Sequence, residues 1–178
     1  METIKQDYSV SMAKANVMIL PAFLGLFLGM AGIYRLIWGT FSSGGFFDGW
    51  QFWVVFIVGI IVHEGIHGFT WMIAGNIPVN QIKYGVQWKT LTPYAHSKIP
   101  MPKSAYQIGA ALPGIILGVL PYILGLTTGN AWVVYFGILF TTAALGDALI
   151  LWLIRDVDSN MLVEDHSTQA GCYVIEAV

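Results

Sequence analysis

Cysteine and charge are what this 178-residue chain has least of. Its single cysteine, Cys172, excludes a disulfide framework and a C-x-x-C metal pair, so any metal has to be held by histidine and carboxylate. Only 10% of the residues are charged, against about 25% in an ordinary soluble domain, which excludes a surface that is solvated throughout. The 8 Lys and Arg residues are scattered, so no basic cluster suits nucleic acid, and a net charge of -2 selects no partner. A cleavable signal peptide is not expected, because the mostly polar residues 1–16 precede the first apolar run and no small-residue cleavage site follows it. Internal repeats and low-complexity tracts are absent as well.

What is present is apolar: 56% of the residues are hydrophobic and the mean hydropathy is +0.68. Residues 17–34 carry no charge, and neither do residues 107–146, a run too long for one span of roughly 20 residues. The second run therefore turns, at Thr127-Thr128-Gly129-Asn130. The expected fold is a single all-α integral membrane domain over 1–178, with polar segments at 1–16 and 155–178. Its four spans run from about Val17 to Trp38, Trp50 to Ala74, Ser104 to Leu126 and Ala131 to Ile154. The segment 1–16 is read as a frayed or interfacial helix start, with Pro21 near the beginning of the first span. Gly25, Gly29 and Gly32 are read as close-packing positions, and Pro113 and Pro121 as kinks in the third span. Between spans two and three, Ile82, Tyr84, Val86 and Trp88 alternate with polar or small residues, the period of a short β-hairpin or strand edge.

One stretch carries chemistry. His63-Glu64-Gly65-Ile66-His67 reads H-E-x-x-H inside the second apolar run. On a helix the two histidines stand one turn apart on one face, where both imidazoles can reach a single Zn²⁺. Glu64 lies beside them as a general acid/base for metal-assisted hydrolysis. Ionisable groups in so apolar a segment are expensive, which makes a functional role the default.

Zinc in a hydrolase takes a third protein ligand. Lys5, Lys14, Lys83, Lys89, Lys98, Lys103 and Arg155 all fall on one side of the four-span topology, which puts both termini and the long loop in the cytoplasm; Arg35 alone runs against this. In that arrangement His63, His67 and Asp147 lie about 13, 17 and 16 residues into spans of the same direction, at nearly one depth. Asp147 is also the only acidic residue between Glu64 and Arg155. His96, in the cytoplasmic loop, is the competing ligand, and as a loop histidine it also suits a substrate or supporting contact. His166 reads as a solvated or capping residue.

His63-Glu64-Gly65-Ile66-His67-Gly68, Tyr84-Gly85, Thr92-Pro93-Tyr94-Ala95, Ala111-Leu112-Pro113-Gly114, Gly146-Asp147, Val163-Glu164-Asp165-His166 and Gly171-Cys172-Tyr173-Val174 together resemble the small bacterial membrane proteins grouped as "putative zincin peptidases". The resemblance implies a membrane-embedded zinc metalloprotease of the bacterial cytoplasmic membrane, similar in layout to site-2 proteases. It implies His63, His67 and Asp147 as Zn²⁺ ligands and Glu64 as the catalytic acid/base. Where site-2 proteases carry Leu-Asp-Gly after an Asn-x-x-Pro element, this chain has Leu145-Gly146-Asp147-Ala148 and no such asparagine. His96, Tyr84, Val86 and Pro113 complete the candidates, as substrate or supporting contacts. The expected partners are a membrane protein or peptide substrate and the lipid bilayer; nothing in the sequence sets an oligomeric state. The stretch Ile82 to Trp88 is expected to hold an extended substrate by β-augmentation. The rival readings are a metal-binding or metal-transport membrane protein and a peptidase-like scaffold that binds a transmembrane partner without cutting it. Transport is disfavoured because the outer halves of the spans are almost bare of ionisable groups.

The topology makes a direct prediction. With Cys172 replaced, single cysteines at Ser43 and Asn130 react with a membrane-impermeant thiol reagent outside intact cells, and one at Lys89 does not. Labelling at Lys89 inverts the orientation.

Overall fold

The computed structural model describes residues 3–166 and 168–177. Four helical segments are long and apolar enough to cross a membrane: Met12–Trp38 (α1), Gly49–Ala74 (α2), Lys103–Thr128 and Ala131–Leu153. Their apolar surface faces outward, with Leu36 87% and Ile61 65% exposed, a distribution that lipid tolerates and water does not. The helix α1 starts where the Ser11 hydroxyl accepts from the Lys14 N–H, and ends at Gly39, whose φ of 73° closes the left-handed cap. Since α1 begins at Met12, Pro21 sits inside the helix and not at its first turn, and the Val17 carbonyl loses its helical donor. The glycines 25, 29 and 32 also depart from expectation. No atom lies within 4 Å of where their Cβ atoms would be, so no neighbouring helix uses that face.

The third span is broken as its prolines require. It divides into α3 (Lys103–Pro113), a π-helical turn (Gly114–Val119) and α4 (Leu120–Thr128). The fourth divides at Ala144 into α5 (Ala131–Ala143) and α6 (Leu145–Leu153). Close packing of these segments depends on glycine: a Cβ on Gly118 would meet the Thr141 backbone, and one on Gly137 the Tyr122 backbone. At this end of the bundle Phe46, Tyr34, Val134 and Ile138 form a closed core, with the Tyr34 hydroxyl donating to the Gly129 carbonyl.

The opposite end is not helical. Strands β2 (Ile82–Gln87) and β3 (Thr92–Ser97) form the expected hairpin between the second and third spans. A second sheet, in the order β1-β6-β5-β4, joins Thr3–Val10 (β1), Ala170–Ala177 (β6), Leu162–Asp165 (β5) and Met101–Pro102 (β4), all antiparallel. The all-α expectation is corrected here: residues 3–10 of the polar N-terminal segment form a strand, and the polar tail supplies two more. The reason is non-local pairing, Asp7 against Tyr173 and Glu164 against Tyr173, which no short-range pattern announces. The sheet is anchored by Val163 and Cys172, both 0% exposed, on a core that also takes Trp71, Tyr106 and Ile154. Burial, and then Asp165 and Asp7, push the Cys172 thiol up to about 12, so it is an unreactive packing residue.

Cysteines placed at Asp7 and Tyr173, in a variant with Cys172 replaced by Ser, are expected to cross-link within one chain with a short bifunctional thiol reagent. A helical N-terminal segment leaves them uncoupled, and mass spectrometry of the digested protein distinguishes the two.

Candidate metal centre

The motif residues lie on α2, an unbroken helix, so the four-residue spacing of His63 and His67 puts both rings on the face turned to α3 and α6. The two rings are 4.9 Å apart, and they are 8% and 5% exposed as residues. Asp147, in the first turn of α6, comes between them: Oδ2 is 3.1 Å from His63 Nε2 and Oδ1 is 3.3 Å from His67 Nε2. These three are a possible metal-binding group, with one donor atom from each within 4.8 Å of the others. A tetrahedral site with metal–ligand distances of about 2.0–2.1 Å has donor–donor edges of about 3.3 Å, close to the two separations observed.

The hydrogen bonds argue for a cation there. His67 Nδ1 donates to the Gly109 carbonyl, 2.9 Å away, which commits that nitrogen to carrying the proton. A neutral His67 therefore aims its Nε2 lone pair at a carboxylate oxygen. Two electron pairs facing each other in an apolar helix bundle repel unless a proton on Nε2 or a metal cation lies between them. The donor set of two imidazoles and one carboxylate suits zinc.

The supporting geometry is built from α3. The Gly109 carbonyl is free for His67 because Pro113, four residues further on, has no N–H to give it. Gly109 also has to be glycine, since a Cβ would overlap the Trp71 indole. That indole lies between His67 and Tyr106, 5.6 Å and 5.7 Å from their ring centroids, and fixes the imidazole plane. Gly68, which follows the motif, is similarly required: the Tyr84 hydroxyl of β2 packs where its Cβ would go. Burial, then the charge of Glu64, raise the Tyr84 hydroxyl above its ordinary range, so it stays a neutral phenol.

Glu64 opens with His67 and Asp147 onto a cavity of about 330 Å³. The backbone N–H of Ala95 on β3 meets its carboxylate. Thr92 to His96 of β3 line the cavity, and β2 adds Val86 and Gln87, so β3 supplies most of the hairpin's share and the 82–88 stretch two residues. Met12, Asn16 and Ile19 of α1 and residues 168–171 of the β5–β6 turn close the remaining wall.

The candidate residues are thus placed as follows. His63, His67 and Asp147 converge, Glu64 is adjacent, and Val86 and His96 line the cavity. His96 pairs with Asp165, and the possible metal-binding group forms without it. Tyr84 and Pro113 act from outside the cavity, through Gly68 and Gly109. His166 caps the turn, its Nδ1 accepting from the backbone N–H groups of Thr168 and Gln169. Tyr106, Asp165 and Gly109 were not legible as site residues, because only the packing of α3 and β5 brings them to α2.

Comparison with known proteins places this geometry in a class. The family described as "Putative zincin peptidase" matches residues 56–162, more than half of the chain, and the chain belongs to that family. No curated protein and no solved structure matches. The matched segment contains both histidines, Glu64 and Asp147, while α1, β1 and β6 lie outside it.

Purified Asp147→Ala is expected to lose bound zinc and His96→Ala to keep it, as read by elemental analysis. Gly109→Ala, which displaces the carbonyl that orients His67, is expected to weaken zinc binding about 10- to 100-fold.

Proposed function

We propose that this protein is a membrane-embedded zinc metallopeptidase that hydrolyses peptide bonds near the cytoplasmic face of the membrane. The observation that carries the reading is the conjunction, at one end of an apolar bundle, of the His63–His67–Asp147 group with a free carboxylate, Glu64, on a shared cavity. Family membership supports the metallopeptidase class. The four apolar helices support the membrane location.

His63, His67 and Asp147 would hold the metal. Zinc supplies Lewis-acid chemistry, polarising a peptide carbonyl and bringing the pKa of water towards about 7. Glu64 takes the proton of the attacking water and returns it to the leaving amine, so that the carbon–nitrogen bond breaks without a free amide anion. The Ala95 N–H faces the Glu64 carboxylate and favours its charged form. The cavity walls supplied by Ile19, Ala110, Ala143 and Ile150 exclude bulk water and accept apolar side chains.

A transmembrane helix hides its backbone groups, so a substrate has to be extended before its amide reaches Glu64. The hairpin strand β3, which brings its Ala95 N–H to that carboxylate, offers the edge along which an unwound segment would lie. The partners implied are a membrane protein or membrane-bound peptide and the bilayer itself.

Glu64→Gln tests the reading. The variant is expected to keep its zinc and lose at least about 100-fold in hydrolysis, in line with removal of a positioned general base. Proteomics of membranes from cells carrying wild type or Glu64→Gln should show full-length substrates accumulating only in the variant. Identical proteomes, with zinc bound in both, favour a scaffold that binds membrane partners without cutting them.

A further inference from the structure

A second polar cluster opens onto the same cavity and takes no part in the metal group. His96 Nδ1 lies 3.1 Å from Asp165 Oδ2, and the Tyr106 hydroxyl donates to Asp165 Oδ1 at 2.9 Å. All three residues line the cavity together with Glu64, His67 and Asp147. Because the Asp165 carboxylate is an acceptor for both neighbours, the Nδ1 of His96 carries the proton of that contact. Its Nε2 has no hydrogen-bond partner among the described residues, although the side chain is only 16% exposed.

The placement is as informative as the pairing. His96 follows Ala95 on β3, and both residues line the cavity onto which Glu64 opens. Asp165 is held from behind by Tyr106, which is 2% exposed and stacked on Trp71 at an interplanar angle of 2°. The Nε2 atom is not closed off by protein, which leaves it open to a molecule that enters the cavity His96 lines.

We infer that His96 is a catalytic residue that donates a hydrogen bond from Nε2 to the carbonyl oxygen of the scissile peptide bond, with Asp165 and Tyr106 as positioning residues acting through it. This rests on the peptidase reading above. As water adds to the carbonyl carbon, the π pair moves onto the oxygen, and His96 in its protonated form stabilises the charge there without transferring its proton. The proton balance stays with Glu64, which carries it from water to the leaving nitrogen. Asp165 holds the ring plane and the Nδ1 proton, as carboxylates do for histidines at reaction centres.

The test separates the two nitrogens of the ring. Asparagine places an amide near Nδ1 and keeps the contact to Asp165, whereas glutamine reaches the position of Nε2 and keeps a donor at the cavity. The probes are an apolar phosphinic tripeptide, which carries an anionic oxygen where the carbonyl oxygen gains charge, and a peptidic thiol of the same side chains, which does not. Both are titrated against zinc-loaded protein in detergent. His96→Asn is expected to weaken the phosphinic peptide about 10- to 100-fold, the loss of one charge-assisted hydrogen bond, and to leave thiol binding within about twofold. His96→Gln is expected to bind the phosphinic peptide more tightly than His96→Asn. Equal phosphinate affinity in wild type and His96→Asn overturns the inference, as do tighter binding by Asn than by Gln and parallel weakening of both probes. Loss of zinc or of folded protein in both variants overturns it too, since His96 is then structural. If zinc-loaded wild type binds the thiol and the phosphinic peptide yet Glu64→Gln hydrolyses as well as wild type, the failure belongs to the peptidase reading and not to His96.

Discussion

Two imidazoles and a carboxylate are held together by helices too apolar to accommodate any of them alone. In water each would be solvated for nothing; inside α2 and α6 they are stabilised by one another, by the Gly109 carbonyl that accepts from His67, and by what they bind. Much of the remaining structure serves that constraint. The π-helical turn and prolines of the third span break a helix that would otherwise keep all its carbonyls occupied, and the one released at Gly109 orients His67. Gly109 and Gly68 are bare where Trp71 and Tyr84 have to approach. The stacked series His67, Trp71, Tyr106 then connects the metal group to Asp165 and His96.

The two ends of the bundle divide the work by polarity. One end is closed by aromatic packing around Phe46, with Phe52, Trp132 and Phe136 within 5.1–6.5 Å of its ring, and its charged residues include Arg35, stacked over Phe41, and Asp48 at the start of α2. The other end carries the cavity, both sheets and most of the charged residues. A site for water-dependent chemistry in a membrane needs such asymmetry, since the reacting groups have to be wet while the helices that position them stay dry.

The residues matched by the family run from 56 to 162, yet the cavity is completed by α1 and by the β5–β6 turn, which lie outside that segment. Within one chain the elements that hold the metal group and those that shape its surroundings are therefore separable. Asp165 belongs to the second set, and it ties the outlying hairpin to β3 and α3 through His96 and Tyr106.

The sequence by itself determined the four apolar helices, the kinked third span, the β2–β3 hairpin and the convergence of His63 and His67, because each depends on residues a few positions apart: an uncharged run, a proline, an alternation, a helical turn. Asp147 was legible by depth, since a rise of about 1.5 Å per residue turns position in a span into position along the bundle. Tertiary structure decided the rest. The sheet that joins residues 3–10 to 170–177 rests on pairing between the two ends of the chain, and short polar strands carry no local signature of their partners. The pairing of His96 with Asp165 is of the same kind, because spacing along the chain says nothing of which carboxylate a loop histidine will meet once β5 packs beside α3.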